Sequence, residues 1–168
     1  AALKSQKLQG AVTICDIGGG NTSISRFYNG EPNGEVEVKD FGAEYLIERI
    51  AASSQLKALI EQPPSKDIIN RSLEVGIKSK NKKPCLVYGD SNINFYKVYE
   101  TELQDFINCR LREIIKKLEN YKLTGDKVLV IGGGSKLPLL SAALKKKGFL
   151  ISDNGAFDNL VGLVGEVA

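Results

Sequence analysis

"VTICDIGGGNTSIS", residues 12–25, carries an apolar run into an acid, Asp16, and then into three consecutive glycines. The segment from Ala11 to Ile17 reads as a strand buried on both faces, and Thr22 to Tyr28 reads as a second strand. Glycine triplets serve neither strand nor helix, so the backbone must be bare there for a reason. "DKVLVIGGGS", residues 126–135, repeats the theme: an apolar strand, a glycine triplet, then a hydroxyl.

Working outward, Asn29-Gly30 and Asn33-Gly34 are turn signals. "EVEVKDF", residues 35–41, alternates as a half-exposed third strand of an antiparallel meander. Asp40 is placed to cap a helix whose apolar face is Ala43, Leu46, Ile47, Ile50 and Ala51. A second helical pattern covers residues 65–77. "PCLVYG" and "NINFYKV" read as two further strands joined across Gly89-Asp90. Residues 62–98 are more polar and begin at prolines, which predicts a small subdomain inserted in the main domain. A long helix with a Thr101/Gln104 capping box runs to about Tyr121. "KLPLLSAALKKKG" is predicted as a helix with Pro138 in its first turn and Gly148 as its stop. Residues 149–152 form a short strand, and Ala156 to Val167 a closing helix.

The 168 residues suffice for one domain with a subdomain, at 42% hydrophobic and 26% charged. A net charge of +3 does not argue for nucleic acid. The lysine runs at 78–83 and 145–147 read as a solvated turn and a helix end. Histidine is absent, which removes Ser-His-Asp and Cys-His nucleophile systems and any histidine-held metal. Three widely spaced cysteines, Cys15, Cys85 and Cys109, read as small buried thiols of a reducing compartment, with Cys15 and Cys85 in apolar runs, rather than as disulfides or a metal site. With no signal peptide and no long apolar span, the expected location is the cytoplasm. The opening "AALKSQKLQG" looks like the end of a helix entering a strand, so the chain is read as a piece of a longer protein.

The chemistry of the two triplets follows from their neighbours. Gly132-Gly133-Gly134 lies between a buried strand and a helix, where ligands bind in open α/β folds. Gly18-Gly19-Gly20 joins two strands with no helix behind it, yet its N–H groups can form an anion nest. A carboxylate beside such a nest is tolerable if a cation lies between it and a phosphate. Asp16 therefore fits Mg²⁺ held through water, and Thr22 offers the same phosphate a hydroxyl. Neither triplet has the spacing of a P-loop or of a dinucleotide-binding turn.

"DIGGGNTSIS" resembles the second phosphate motif of the actin, heat-shock chaperone and sugar-kinase superfamily. "VLVIGGGSKLPLLSAALKKKG" resembles its adenosine motif. The order of elements along the whole chain is similar to that of the second, C-terminal ATPase half. Within the superfamily, the short insertion and the ending "FDNLVGLVGEV" look most like the ParM/StbA actin-like plasmid-segregation proteins. The resemblance implies a ribonuclease H-like, actin-type α/β domain over residues 1–168, with a mixed sheet and flanking helices. It implies ATP and Mg²⁺ as cofactors. Gly18, Gly19, Gly20, Asn21 and Thr22 match the phosphate-binding positions, and Gly132, Gly133, Gly134, Ser135 and Lys136 the adenosine-binding ones. Asp16 matches the acid that holds the metal through water.

No catalytic residue is assigned in this chain. The family's first phosphate motif and its water-orienting acid belong to the N-terminal half, so the chain is expected to supply one wall of the cleft and, alone, to be inactive. The implied function is an ATPase that forms ATP-dependent filaments and moves plasmid DNA. Its implied partners are further copies of itself and a centromere-binding adaptor, with no direct nucleic-acid or membrane contact. A chaperone or reactivating ATPase that does not polymerise, or half of a sugar or acid kinase, are the alternatives.

Overall fold

The computed structural model describes residues 9–60, 62–78 and 85–152. The chain divides into two compact units, Ala1–Ala43 with Glu113–Ala168, and Glu44–Arg112. The expected insertion at 62–98 lies inside the second span.

The first unit is built on a six-stranded mixed sheet. Strand β1 (Ala11–Ile17) lies at its centre, antiparallel to β2 (Thr22–Tyr28) and parallel to β5 (Lys127–Ile131). Beyond β5 lies β6 (Leu150–Ile151), also parallel. Two short strands, β3 (Glu31–Pro32) and β4 (Glu37–Lys39), both pair with β2. The expected third meander strand is thus split in two, with residues 33–36 between the pieces. Asn33 N–H donates to the Arg26 carbonyl at 2.8 Å, turning the chain there.

β1 and β5 are nearly continuous apolar runs because both their faces are covered, as parallel strands require. Val12, Ile14, Leu129 and Ile131 form one core cluster, with Phe27 packed against it. Each such side chain contributes about 1.5–3 kcal/mol on burial. Helix α5 (Arg112–Leu123), from Glu113 onward, and helix α6 (Leu140–Lys146) complete the described part of this unit. Lys122 Nζ donates to the Lys147 carbonyl at 2.8 Å, and Lys147 Nζ pairs with Glu119 at 2.6 Å. The lysine run at 145–147 therefore ties two helices together. Gly148, at φ 78°, ends α6 in a left-handed turn. Phe149 N–H reaches back to the Leu144 carbonyl at 3.3 Å, a Schellman-type stop.

The second unit contains α1 (Ala43–Ala52, from Glu44 onward), α2 (Ser54–Leu59), α3 (Lys66–Lys78) and α4 (Tyr96–Phe106). A single π-turn, Ile107–Leu111, links α4 to α5. Its core includes Leu46, Ile50, Leu56, Ile69, Leu73, Leu86, Phe95, Tyr99 and Phe106.

Three expectations are corrected here. "NINFYKV" is not a strand: one isolated bridge pairs Val87 with Asn94, and α4 starts at Tyr96. Phe95, Val98 and Tyr99 satisfy an i, i+3, i+4 pattern and are all buried, so the helical reading buries more than alternation would. Asn94 Oδ1 accepts the Tyr96 N–H at 2.9 Å at the helix start. Thr101 is therefore mid-helix, and its hydroxyl bonds back to the Lys97 carbonyl. Second, Pro138 precedes α6, separated from it by Leu139 at φ 66°. Third, Cys85 is exposed, as is Cys109, while Cys15 is buried. The expected closing helix, Ala156 to Val167, lies outside the described residues. Among the described residues, no helix is long and apolar enough to cross a membrane.

Candidate nucleotide-binding site

Asp16 pairs with Ile131 in the parallel register of β1 and β5. Just past that pair, β5 enters its glycine triplet at once, at Gly132, and β1 enters its own after Ile17, at Gly18. Both triplets therefore leave the carboxyl edge of adjacent strands of one sheet, where open α/β folds place ligands.

The second turn packs on the end of β1. Gly132 has φ 85°, and a Cβ built on it would collide with Asp16 Oδ1 and with the Ile17 carbonyl, whose carbon lies 2.7 Å away. At Gly134 a Cβ would lie 2.9 Å from the Ile17 oxygen and 3.2 Å from the Ile17 Cβ. Both glycines are needed for close packing of the second turn on the end of β1. Gly133 is different. It is exposed, and a Cβ there would meet nothing within 4 Å. Nothing among the described residues requires that position to be bare.

A 3₁₀ turn, Gly133–Lys136, follows the strand, where an α-helix was expected directly. Ser135 closes it: its hydroxyl donates to the Gly132 carbonyl at 2.7 Å, and the residue is fully buried. Ser135 thus shapes the turn from inside. Lys136 ends the 3₁₀ turn and is half-buried.

In the first turn, Gly18 N–H donates to the Asn21 carbonyl at 2.9 Å and closes the hairpin loop. Gly19, Gly20 and Asn21 are exposed. Thr22 is fully buried, and its hydroxyl donates to the Phe41 carbonyl at 2.8 Å. Its single proton is committed there, so in this geometry that hydroxyl is not available to donate to a ligand. Ala43, the first residue of α1, donates its N–H to the Gly18 carbonyl at 2.9 Å. Gly42, which sequence reasoning passed over, is buried against the Gly18 and Gly19 carbonyls. The signal available was its place just before the helix.

Asp16 is half-buried between the turns. Among the described residues no cluster of three or more His, Cys, Asp or Glu side chains could hold a metal. A divalent ion here would take one carboxylate from this chain and complete its shell with water and phosphate oxygens, which suits Mg²⁺. The preceding Cys15 is inert, its thiol pushed up to about 12 by burial and by the Asp16 charge.

The opposite end of the same strands is structural. Asp126, immediately before β5, accepts from the Thr13 hydroxyl at 2.6 Å and from Arg26 Nε and Nη2, each at 3.1 Å. The Arg26 guanidinium also stacks 4.5 Å from the centre of the Tyr121 ring. Burial works to raise the Asp126 pKa, but the hydrogen bonds from Arg26 and Thr13 outweigh it and hold the carboxyl below its ordinary range. This network locks β1, β2, β5 and α5 at the edge away from the glycine turns.

Among solved structures, the chain superposes on Bacillus thuringiensis ParM with ATP at a TM-score of 0.68. Sequence identity is 18%, covering 96% of this chain and 48% of that one. The fold is that of the actin-like ATPases. An archaeal actin homologue matches at 0.68 with 16% identity, over 99% of this chain and 53% of the other. The ethanolamine utilization protein EutJ from Carboxydothermus hydrogenoformans matches at 0.62 with 16% identity, over 94% and 48%. The chain thus spans about half the length of these structures. No protein-family model matches the sequence, and no curated protein is significantly similar to it.

Proposed function

We propose that this chain is the nucleotide-binding second half of an actin-like ATPase that forms ATP-dependent filaments for plasmid segregation. The observation that carries the nucleotide reading is the pair of glycine turns at one sheet edge, the second packed on Asp16 and Ile17 at the end of β1, with Gly133 open among the described residues. In this reading the N–H groups of Gly19, Gly20 and Asn21 hold phosphate oxygens, Asp16 anchors Mg²⁺ through water, and the Gly132–Lys136 turn passes the adenosine. Mg²⁺ supplies charge neutralisation on the phosphates when bound. The chain's own residues orient the nucleotide on one wall; the other wall and the attacking water belong to the partner half.

The filament reading rests on the likeness to ParM, together with the size of the insertion and the chain ending. An adaptor protein would join such a filament to a centromere, since a net charge of +3 does not argue for direct nucleic-acid binding. Sedimentation of the full-length protein with and without ATP tests it: an ATP-dependent pellet is expected. Because the same fold is found in EutJ, an ethanolamine utilization protein, and not in ParM alone, a second reading is a chaperone-type or reactivating ATPase half that does not polymerise. An unchanged supernatant at concentrations well above micromolar would favour that reading.

A further inference from the structure

Residues Phe41 to Ala43 form a strap across the first glycine turn, held by three separate features. The Phe41 carbonyl accepts the buried Thr22 hydroxyl at 2.8 Å. Ala43 N–H donates to the Gly18 carbonyl at 2.9 Å. Between them, Gly42 lies so close that a Cβ would collide with the Gly18 and Gly19 oxygens; the Gly19 carbonyl carbon is the more distant atom, at 2.7 Å. Two successive carbonyls of the turn are therefore aimed into the strap.

Peptide planarity gives this a consequence. No peptide among the described residues is cis. In a trans peptide the C=O and N–H point in opposite directions. The Gly18 carbonyl shares its plane with the Gly19 N–H, and the Gly19 carbonyl shares its plane with the Gly20 N–H. With both oxygens facing Gly42, both N–H groups face the other way, on residues that are exposed. The Gly18 N–H is already used by Asn21. None of the three glycines is among those with positive φ, so conformational freedom alone does not set this turn.

We propose that Gly42 and Thr22 are positioning residues: the strap they secure rotates the Gly18–Gly19 and Gly19–Gly20 peptides so that two adjacent N–H groups point outward to receive a phosphate. Gly42 is glycine because any side chain would push those peptides out of orientation. Thr22 acts through its bond to Phe41 and does not touch the phosphate. This rests on the nucleotide reading above and adds to it the reason for residues outside both triplets.

The test is an amide NMR titration of the 168-residue chain and its variants with Mg-ADP and, separately, with adenosine. In the parent, Mg-ADP at millimolar concentration should move the Gly19, Gly20 and Asn21 amides. In Gly42→Ala those amides should already be displaced without ligand. Mg-ADP affinity should fall about tenfold or more, the loss of one or two charge-assisted hydrogen bonds. The response to adenosine at Gly132–Gly134 should persist, which a general loss of fold would not allow. Thr22→Val should act in the same direction, and Thr22→Ser, which keeps the hydroxyl, should restore binding. Gly42→Ala with parental amide shifts and parental Mg-ADP affinity would overturn the strap. A parent that shows no response to Mg-ADP would overturn the phosphate role. Displaced turn amides in Gly42→Ala would then show that the strap alone still stands.

Discussion

Gly132 crosses directly over the carboxylate of Asp16, with no room for a single carbon between them. The acid that ends β1 and the glycine that ends β5 are thus one structural unit, though 116 positions separate them in the chain. Gly132→Ala would have to move the acid, the Ile17 carbonyl or itself, and it would also strain a backbone at φ 85°. A loss of about 1–3 kcal/mol is expected, read as a lower urea midpoint with unchanged slope.

Gly133→Ala separates ligand demand from folding demand. A Cβ there meets nothing among the described residues, so stability should stay within about 0.5 kcal/mol of the parent. In the proposed reading nucleotide binding should nonetheless weaken, because the methyl group occupies the open side of the second glycine turn. Parental nucleotide affinity in this variant would place the ligand elsewhere.

Asp16→Ala in the full-length protein should keep the fold and abolish Mg²⁺-dependent ATP turnover, since positioning alone cannot replace the metal's charge stabilisation. Turnover at the parental rate would reduce Asp16 to a strand-end acid. The 168 residues alone should bind Mg-ATP weakly and release no phosphate above background, because the chain spans about half of the structures it resembles. Calorimetry and a phosphate-release assay on the purified chain check both statements.

Asp126 makes stability depend on acid. Its folded pKa is held below the usual carboxylate range despite burial, chiefly by Arg26 and Thr13. The network's contribution is therefore complete above the unfolded value, about 3.9, and is lost as pH falls through the lower folded value. Asp126→Asn should cost about 1–3 kcal/mol at pH 7, and the gap to the parent should close in strong acid. Urea unfolding of both proteins between pH 7 and pH 2 measures this.

The three thiols should differ in reactivity. Cys85 and Cys109 are exposed and should label with a thiol reagent in the native state at mildly alkaline pH. Cys15 is fully buried with its pKa pushed up to about 12, so it should label only after denaturation.

What the sequence determined by itself is local and periodic. The runs Ala11–Ile17 and Lys127–Ile131 are apolar enough to demand cover on both faces, and each ends in glycines that neither strand nor helix would choose. Those features place the hairpin, the parallel core and the two turns without any knowledge of contacts. The tertiary structure decided what periodicity leaves degenerate. Ile93 and Phe95 alternate as in a strand while Phe95, Val98 and Tyr99 are spaced as in a helix, and burial of Phe95, Val98 and Tyr99 together selected the helix. Thr22 and Ser135 carry hydroxyls that could face a ligand or the protein, and the nearest backbone carbonyls, at Phe41 and Gly132, claimed both. Gly42 and Asp126 gave no motif at all. Their importance lies in what passes close to them, the Gly18–Gly19 carbonyls in one case and Arg26 with Thr13 in the other. Proximity between segments far apart in the chain is a property of the folded backbone, and one-dimensional pattern does not encode it.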